Sequence, residues 1–188
     1  MIIGLTGRNA SGKGTVGDWL VSQGFAYTSL SDAIRSWLKE QGKEPTRDNL
    51  TWAGRQLREL GGPGVLALRT LSMLTEGQDT VIDSIRNPAE VAVLRTRRDF
   101  VMVEVWAEEA VRYDRLLQRG RAGDARNFEE FARQESAELT SASAAGQQLV
   151  ATAEMADVRL NNDGDPAALE ALLVESLPQW RSMSRNLD

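Results

Sequence analysis

The run Gly7-Arg8-Asn9-Ala10-Ser11-Gly12-Lys13-Gly14-Thr15 constrains this chain more than any other feature. It follows the apolar residues Ile2, Ile3 and Leu5, and it opens a segment with Val16, Trp19 and Leu20 at helical spacing. A short buried strand, a glycine-rich turn and a helix make a cradle for phosphate. The glycines let backbone N–H groups turn inward, and the helix adds the positive end of its dipole. The pattern is G-x4-G-K followed by a hydroxyl residue, and Gly14 intervenes so that Thr15 carries the hydroxyl. Lys13 is expected to reach β- and γ-phosphates, and Thr15 to offer a ligand to Mg²⁺. Gly7, Asn9, Ala10, Ser11, Gly12 and Gly14 complete the expected nucleotide cradle. The competing reading is an ordinary glycine turn before a helix; the strand before it and the helix after it weigh against that. Lys13 is one of only three lysines among 22 basic side chains.

The rest of the chain repeats the strand-then-helix theme. Strands are expected near 25–28, 80–83, 101–106 and 157–160, and helices near 14–22, 31–41, 47–60, 64–75, 88–97, 108–119 and 166–176. Two more helices fill 127–153, and the tail after Pro178 shows no clear period. Short apolar strands alternating with helices imply an α/β protein, with a parallel sheet covered on both faces. Ligands of such sheets sit at the carboxyl ends of the strands. At 188 residues the chain is expected to be one domain.

Composition removes whole classes of chemistry. There is no cysteine and no histidine, so thiolate nucleophiles, zinc fingers, iron–sulfur clusters and Ser-His-Asp catalysis are excluded. A net charge of -5 argues against a protein that coats nucleic acid, and no stable nucleic-acid partner is expected. No apolar run approaches the ~20 residues of a membrane span, and MIIGLTG has no basic n-region of a secretory signal. A cytoplasmic location and no membrane partner are the expectation.

Phosphoryl transfer needs alignment and positive charge rather than covalent help, so a chain of this composition can perform it. Asp83 ends the strand 80–83, where a carboxylate serves as a ligand to Mg²⁺-bound water; a turn cap with Ser84 is the alternative. Arg112, Arg115 and Arg119 fall at i, i+3 and i+7 of one helix and are expected to share a face, either toward phosphates or toward solvent. Gly120, Gly123 and Asp124 suggest a short polar lid beside them. Asn162 lies in Asn161-Asn162-Asp163-Gly164 after the fifth strand, either beside a donor base or in a capped turn. Trp52, with Leu57 and Leu60, reads as core or as a stacking platform for a base, with core favoured.

Several segments resemble the nucleoside monophosphate kinase group of P-loop kinases. Gly12-Lys13-Gly14-Thr15 is similar to the adenylate kinase form of the loop. Ser29-Leu30-Ser31-Asp32-Ala33-Ile34-Arg35 resembles the stretch in which an aspartate precedes an acceptor-binding arginine. Val81-Ile82-Asp83-Ser84-Ile85-Arg86 resembles the strand end whose arginine grips acceptor phosphate, and Arg115-Leu116-Leu117-Gln118-Arg119 resembles the approach to the lid. Over nearly the whole chain the sequence is similar to a mainly archaeal family related to dephospho-CoA kinase and adenylate kinase. Leu57-Arg58-Glu59-Leu60, Asn87-Pro88-Ala89-Glu90-Val91 and Gly120-Arg121 extend that similarity.

The resemblance implies a three-layer P-loop fold with a five-stranded parallel sheet in the order 2-3-1-4-5. It implies a core of 1–30, 78–118 and 146–176, a helical acceptor-binding insertion at 31–77 and a lid region at 119–135. ATP and Mg²⁺ follow as donor and metal, with a small nucleotide-type acceptor. Arg35 and Arg86 would hold acceptor phosphate, Arg115 would stack on the donor base, and Arg119 would contact phosphates. Asp32 would orient Arg35, or accept a proton if the acceptor is a hydroxyl, as in dephospho-CoA kinase; a helix cap is its structural alternative. Arg58, within the insertion, would touch the acceptor or form a surface ion pair with Glu59 or another carboxylate. Departures from adenylate kinase, such as Ser31 in place of glycine and Asn87-Pro88 after Arg86, leave AMP specificity uncarried. A nucleotide-dependent switch or ATPase is the reading from a different class, and a member that binds nucleotide without turnover is the third.

Overall fold

The computed structural model describes residues 1–120, 124–139 and 143–185. Five strands form one sheet: β1 (Ile2–Thr6), β2 (Ala26–Ser29), β3 (Thr80–Asp83), β4 (Phe100–Trp106) and β5 (Val158–Asn161). Their order is β2-β3-β1-β4-β5, and every pairing is parallel. All five residues of β1 are buried, as a central strand covered on both faces requires. The expected fold class and strand order are therefore present.

Helix α1 (Lys13–Ser22) follows β1. Three helices stand between β2 and β3: α2 (Leu30–Glu40), α3 (Arg47–Gly61) and α4 (Val65–Met73). Then come α5 (Pro88–Leu94), α6 (Glu109–Arg119), α7 (Phe128–Leu139), α8 (Leu149–Glu154) and α9 (Pro166–Arg185). One core packs Val16 and Leu20 of α1 and Leu169 and Leu173 of α9 against Ile3, Leu5, Val103 and Val105. The opposite core packs Leu30, Ile34, Leu57, Leu66 and Val91 against Ile2, Ile82 and Met102. Among the described residues no helix is long and apolar enough to cross a membrane.

Two local expectations are corrected. The segment after Pro178 is helical: α9 runs through that proline to Arg185. A proline inside a helix costs about 3 kcal/mol, but Trp180, two residues on, is 1% exposed in the core and offsets it. Trp52 is 43% exposed and Leu60 80%, whereas Ala53 and Leu57 are buried. The buried stripe of α3 runs one residue off Trp52, whose ring instead lies 5.5 Å from that of Trp37. Trp52 is neither core nor part of the cleft described below.

Helix starts place the polar residues at the sheet's carboxyl edge. Ser29 ends β2 and caps α2: its hydroxyl accepts from Ser31 N–H, and its own N–H donates to Asp32. Asn87 and Glu90 make the same reciprocal cap at α5. Past β3 the chain stays tied to β1, because Thr6 Oγ1 donates to the Ile85 carbonyl at 2.8 Å.

Candidate active site

A cleft of about 680 Å³ opens above the carboxyl ends of β1 and β3. Its walls include Asn9 through Thr15, Asp32, Arg35, Asp83, Arg86, Arg115 and Arg119. Most residues singled out in the sequence thus meet in one space, drawn from segments more than 100 positions apart.

The loop between β1 and α1 is held open by backbone that only glycine accepts without strain. Gly7 has φ 136°, and a Cβ there would lie 2.2 Å from the Val105 carbonyl oxygen. Gly12 has φ 102°, and its Cβ would lie 2.1 Å from Asn162 Nδ2. That amide donates to the Ser11 carbonyl at 2.8 Å, so the loop after β5 braces the glycine-rich loop from beneath. Ser11 is fully buried, and its hydroxyl has no hydrogen-bond partner among the described residues. Lys13 Nζ donates to the carbonyls of Gly7 and Arg8 at 2.7 and 2.9 Å, curling over the cradle. Burial lowers the Lys13 pKa to about 8; Asp83 and Glu138 counter that shift, while Arg86 and Arg119 add to it.

Thr15 and Asp83 face the same cleft. Asp83 Oδ2 accepts from the Tyr27 hydroxyl at 2.9 Å, and Oδ1 accepts from Ser84 N–H at 2.5 Å. Burial first, then the Asp83 charge, pushes the Tyr27 phenol far up, so it stays a donor. Tyr27 was not singled out in the sequence; its phenol packs over buried Gly17, where a Cβ would come within 2.6 Å of the ring. Among the described residues no cluster of three acidic or imidazole ligands exists. A divalent ion here would therefore rely on Thr15, Asp83, water and substrate phosphates, the ligand set Mg²⁺ favours.

The arginines separate into distinct groups. Arg115 donates to the carbonyls of Asn162 and Gly164 at 2.7 and 3.0 Å, which fixes it on the loop after β5. Arg119 spans Asn9 Oδ1 at 2.8 Å and both oxygens of Asp124 at 2.7 Å. Arg112 does not join them: it is 1% exposed, donates to the Ala107 carbonyl, and pairs with Glu135 of α7 beneath the loop. The shared face expected from spacing is therefore reduced to Arg115 and Arg119. Gly120 ends α6 with φ 52°; Arg121 and Gly123 of the expected lid lie outside the described residues.

Within α2, Arg35 donates to Asp32 Oδ1 at 2.9 Å. Asp32 Oδ2 closes the cap at Ser29, so Asp32 is both helix cap and orienter. Arg58 lies outside the main cleft, lining a neighbouring pocket of about 200 Å³ that also touches Arg35 and Arg86. Its guanidinium is bound to Glu90 Oε1 at 2.9 and 2.7 Å, an ion pair buried in the interior rather than the surface pair expected. Glu90 Oε2 accepts from the backbone N–H groups of Arg86 and Asn87. Arg86 itself donates to Glu138 and Gln147 at 2.9 and 3.1 Å.

Sequence reasoning missed Glu90, Glu135 and Glu138. The signal was periodic: Phe131, Glu135 and Glu138 fall at i, i+4 and i+7, all buried on one face of α7. Carboxylates on a buried stripe require cationic partners.

The comparisons with known proteins agree with this architecture. No family model matches the chain. Over 95% of the chain it superposes on a Thermus thermophilus protein, TT1252, with a TM-score of 0.59 and 23% identity, covering 97% of that protein. A gluconokinase from Sinorhizobium meliloti superposes with a TM-score of 0.57 and 16% identity, covering 98% of this chain and 94% of that one. For a shikimate kinase from Aquifex aeolicus the values are 0.52, 15%, 95% and 97%. The fold is thus the one used by P-loop kinases. In sequence, a UPF0200 protein of Hyperthermus butylicus is 34% identical over 141 residues, 74% of this chain and 76% of that one. A second, from Methanoculleus marisnigri, is 32% identical over 177 residues, 93% of this chain and 92% of that one. Similarity of that depth and coverage makes this chain a member of the UPF0200 family.

Proposed function

We propose that the protein is an ATP-dependent small-molecule kinase that transfers the γ-phosphate to a nucleotide-type acceptor, with a nucleoside monophosphate as the leading candidate. The observation that carries this reading is the meeting of two half-sites in one cleft: Lys13, Thr15 and Asp83 on one side, Asp32, Arg35 and Arg86 on the other. The kinase names of two structures that share the fold support the phosphotransferase part of this reading and say nothing of its acceptor.

The residues present fit Mg-ATP. The glycine loop follows a left-handed path in which any Cβ at Gly7 or Gly12 would strike Val105 or Asn162, and the buried Ser11 hydroxyl within it has no partner among the described residues. When bound, Mg-ATP supplies the transferable phosphoryl group and the divalent charge that screens it. The chain's own residues do the rest by position. Lys13 would exchange the Gly7 and Arg8 carbonyls for phosphate oxygens, a gain because a charge-assisted bond to an anion is the stronger. Thr15 and Asp83 would hold the metal and its water, with Tyr27 fixing the Asp83 carboxylate. Arg115 and the Asn162 loop would flank the donor base, and Arg119, anchored at Asn9, would reach phosphate oxygens. Arg35 and Arg86 would orient the acceptor. Asp32 holds Arg35 through one oxygen and the Ser29 N–H through the other, which supports an orienting role.

Incubation with labelled Mg-ATP and a panel of acceptors tests this. The panel holds ribo- and deoxynucleoside monophosphates, nucleosides and dephospho-CoA, with Lys13→Ala as control. Transfer to a monophosphate is expected. Transfer only to hydroxyl acceptors would reassign Asp32 as base, and hydrolysis without transfer would replace the kinase reading with an ATPase.

A further inference from the structure

Helix α7 sends two carboxylates, one turn apart, into the arginines around the cleft. Glu135 lies between Arg112 and Arg8; Glu138 lies between Arg86 and Arg47. The two pairs differ in kind. The Arg112 side chain is 1% exposed and also tied to the Ala107 carbonyl, so Glu135 belongs to the protein interior. The side chains of Arg47 and Arg86 are each 26% exposed, and both line the 200 Å³ pocket between α2, α3 and the end of β3.

In that pocket Glu138 is bound as a ligand would be. Oε1 accepts from Arg47 Nη2 and Oε2 from Arg86 Nη1, while Gln147 Oε1 accepts from the same Arg86 nitrogen. One oxyanion thus bridges two guanidinium groups from separate elements, the arrangement by which arginines recognise phosphate and carboxylate groups. The other two arginines of the pocket have their own partners: Arg58 is held by Glu90 and Arg35 by Asp32.

We infer that Arg47 and Arg86 form an oxyanion subsite for the acceptor, and that Glu138 occupies it as an internal stand-in which the acceptor's phosphate or carboxylate group must displace. The charge balance sets the selectivity. With Glu138 in place the two guanidinium groups carry a net charge of about +1, and a neutral acceptor has nothing with which to replace the carboxylate. A phosphate monoester brings roughly two negative charges, offers three oxygens, and repels Glu138 as it enters. Glu138 therefore acts as a filter against uncharged acceptors, and Arg47 is an acceptor-binding residue that no sequence motif marked. This inference rests on the kinase reading of the cleft, but its test reads binding and not transfer.

The probes are inorganic phosphate and acetate, titrated calorimetrically into full-length protein carrying Lys13→Ala, so that the phosphate loop contributes little. Adding Glu138→Gln removes the competing charge but keeps the side chain's shape. It is expected to raise phosphate affinity at least about tenfold, near 1.4 kcal/mol, and a further Arg47→Gln is expected to abolish that gain. A gain for phosphate alone assigns a phosphomonoester acceptor, and an equal gain for acetate admits a carboxylate; both support the subsite. No gain for either anion, or a gain that survives Arg47→Gln, overturns it. A purely structural latch predicts lower stability and no gain, which thermal unfolding of the same variants reads. Should Glu138→Gln fail to fold, Arg47→Gln with Glu138 intact is expected to weaken phosphate binding several-fold, and unchanged binding overturns the inference. Because no arm measures phosphoryl transfer, its failure in the acceptor panel leaves the result interpretable.

Discussion

Arg58 and Glu90 form a buried pair across 32 positions, with side-chain exposures of 4% and 0%. Glu90 uses its second oxygen to hold the backbone N–H groups of Arg86 and Asn87, so a pair inside the protein sets the position of a cleft arginine. Removing one partner leaves an uncompensated buried charge. Arg58→Met is therefore expected to destabilise the fold by about 3–5 kcal/mol. Chemical denaturation measures it, and a loss below about 1 kcal/mol would show that the pair is not the anchor described.

Lys13 carries the pH dependence. Its pKa, lowered to about 8 chiefly by burial, means that the ammonium is charged below that value and neutral above it. Triphosphate binding needs the charged form, so affinity is expected to be highest below pH 8 and to fall as pH rises through about 8. Calorimetric titration of Mg-ATP from pH 6 to 10 checks this, with Lys13→Ala expected to bind weakly and to lose the inflection near 8.

Tyr27 holds Asp83 through a single hydrogen bond of 2.9 Å. Tyr27→Phe keeps the ring over Gly17 and removes only the donor. A bond to a charged group is worth roughly 1.5–3 kcal/mol, so the Mg²⁺ concentration giving half-maximal turnover is expected to rise about tenfold or more. Unchanged Mg²⁺ dependence would separate Asp83 from the metal.

Gly12 combines φ 102° with an Asn162 amide where its Cβ would lie. Gly12→Ala is expected to cost roughly 1–3 kcal/mol in backbone strain and to detach Asn162 from Ser11. Asn162→Ala relieves the clash, so the double variant should recover part of the lost stability. Thermal unfolding of the four proteins gives the coupling directly, and strictly additive losses would contradict the contact.

The sheet was legible because its determinants are local and repetitive. Apolar strands alternate with amphipathic helices, and the glycine loop sits between the first pair. The glycine-loop half of the cleft was legible for a related reason: Gly7 to Thr15 is one continuous stretch whose spacing, backbone freedom and helix start are all local properties. Asp83 could be placed because a strand end in a parallel sheet has a known address. Arg58, Arg112 and Trp52 were not decided, since each lies on a helix whose rotation depends on what packs against it. Spacing alone put Arg112 with Arg115 and Arg119, and tertiary packing turned it inward to Glu135. Glu138 meets Arg47 at a separation of 91 residues and Arg86 at 52, distances over which no local pattern carries pairing information. Strand, loop and helix identity follow from short-range steric and hydrophobic preferences written in the sequence. Which carboxylate Arg58, Arg86 and Arg112 meet follows only from long-range packing of charged side chains in the folded chain.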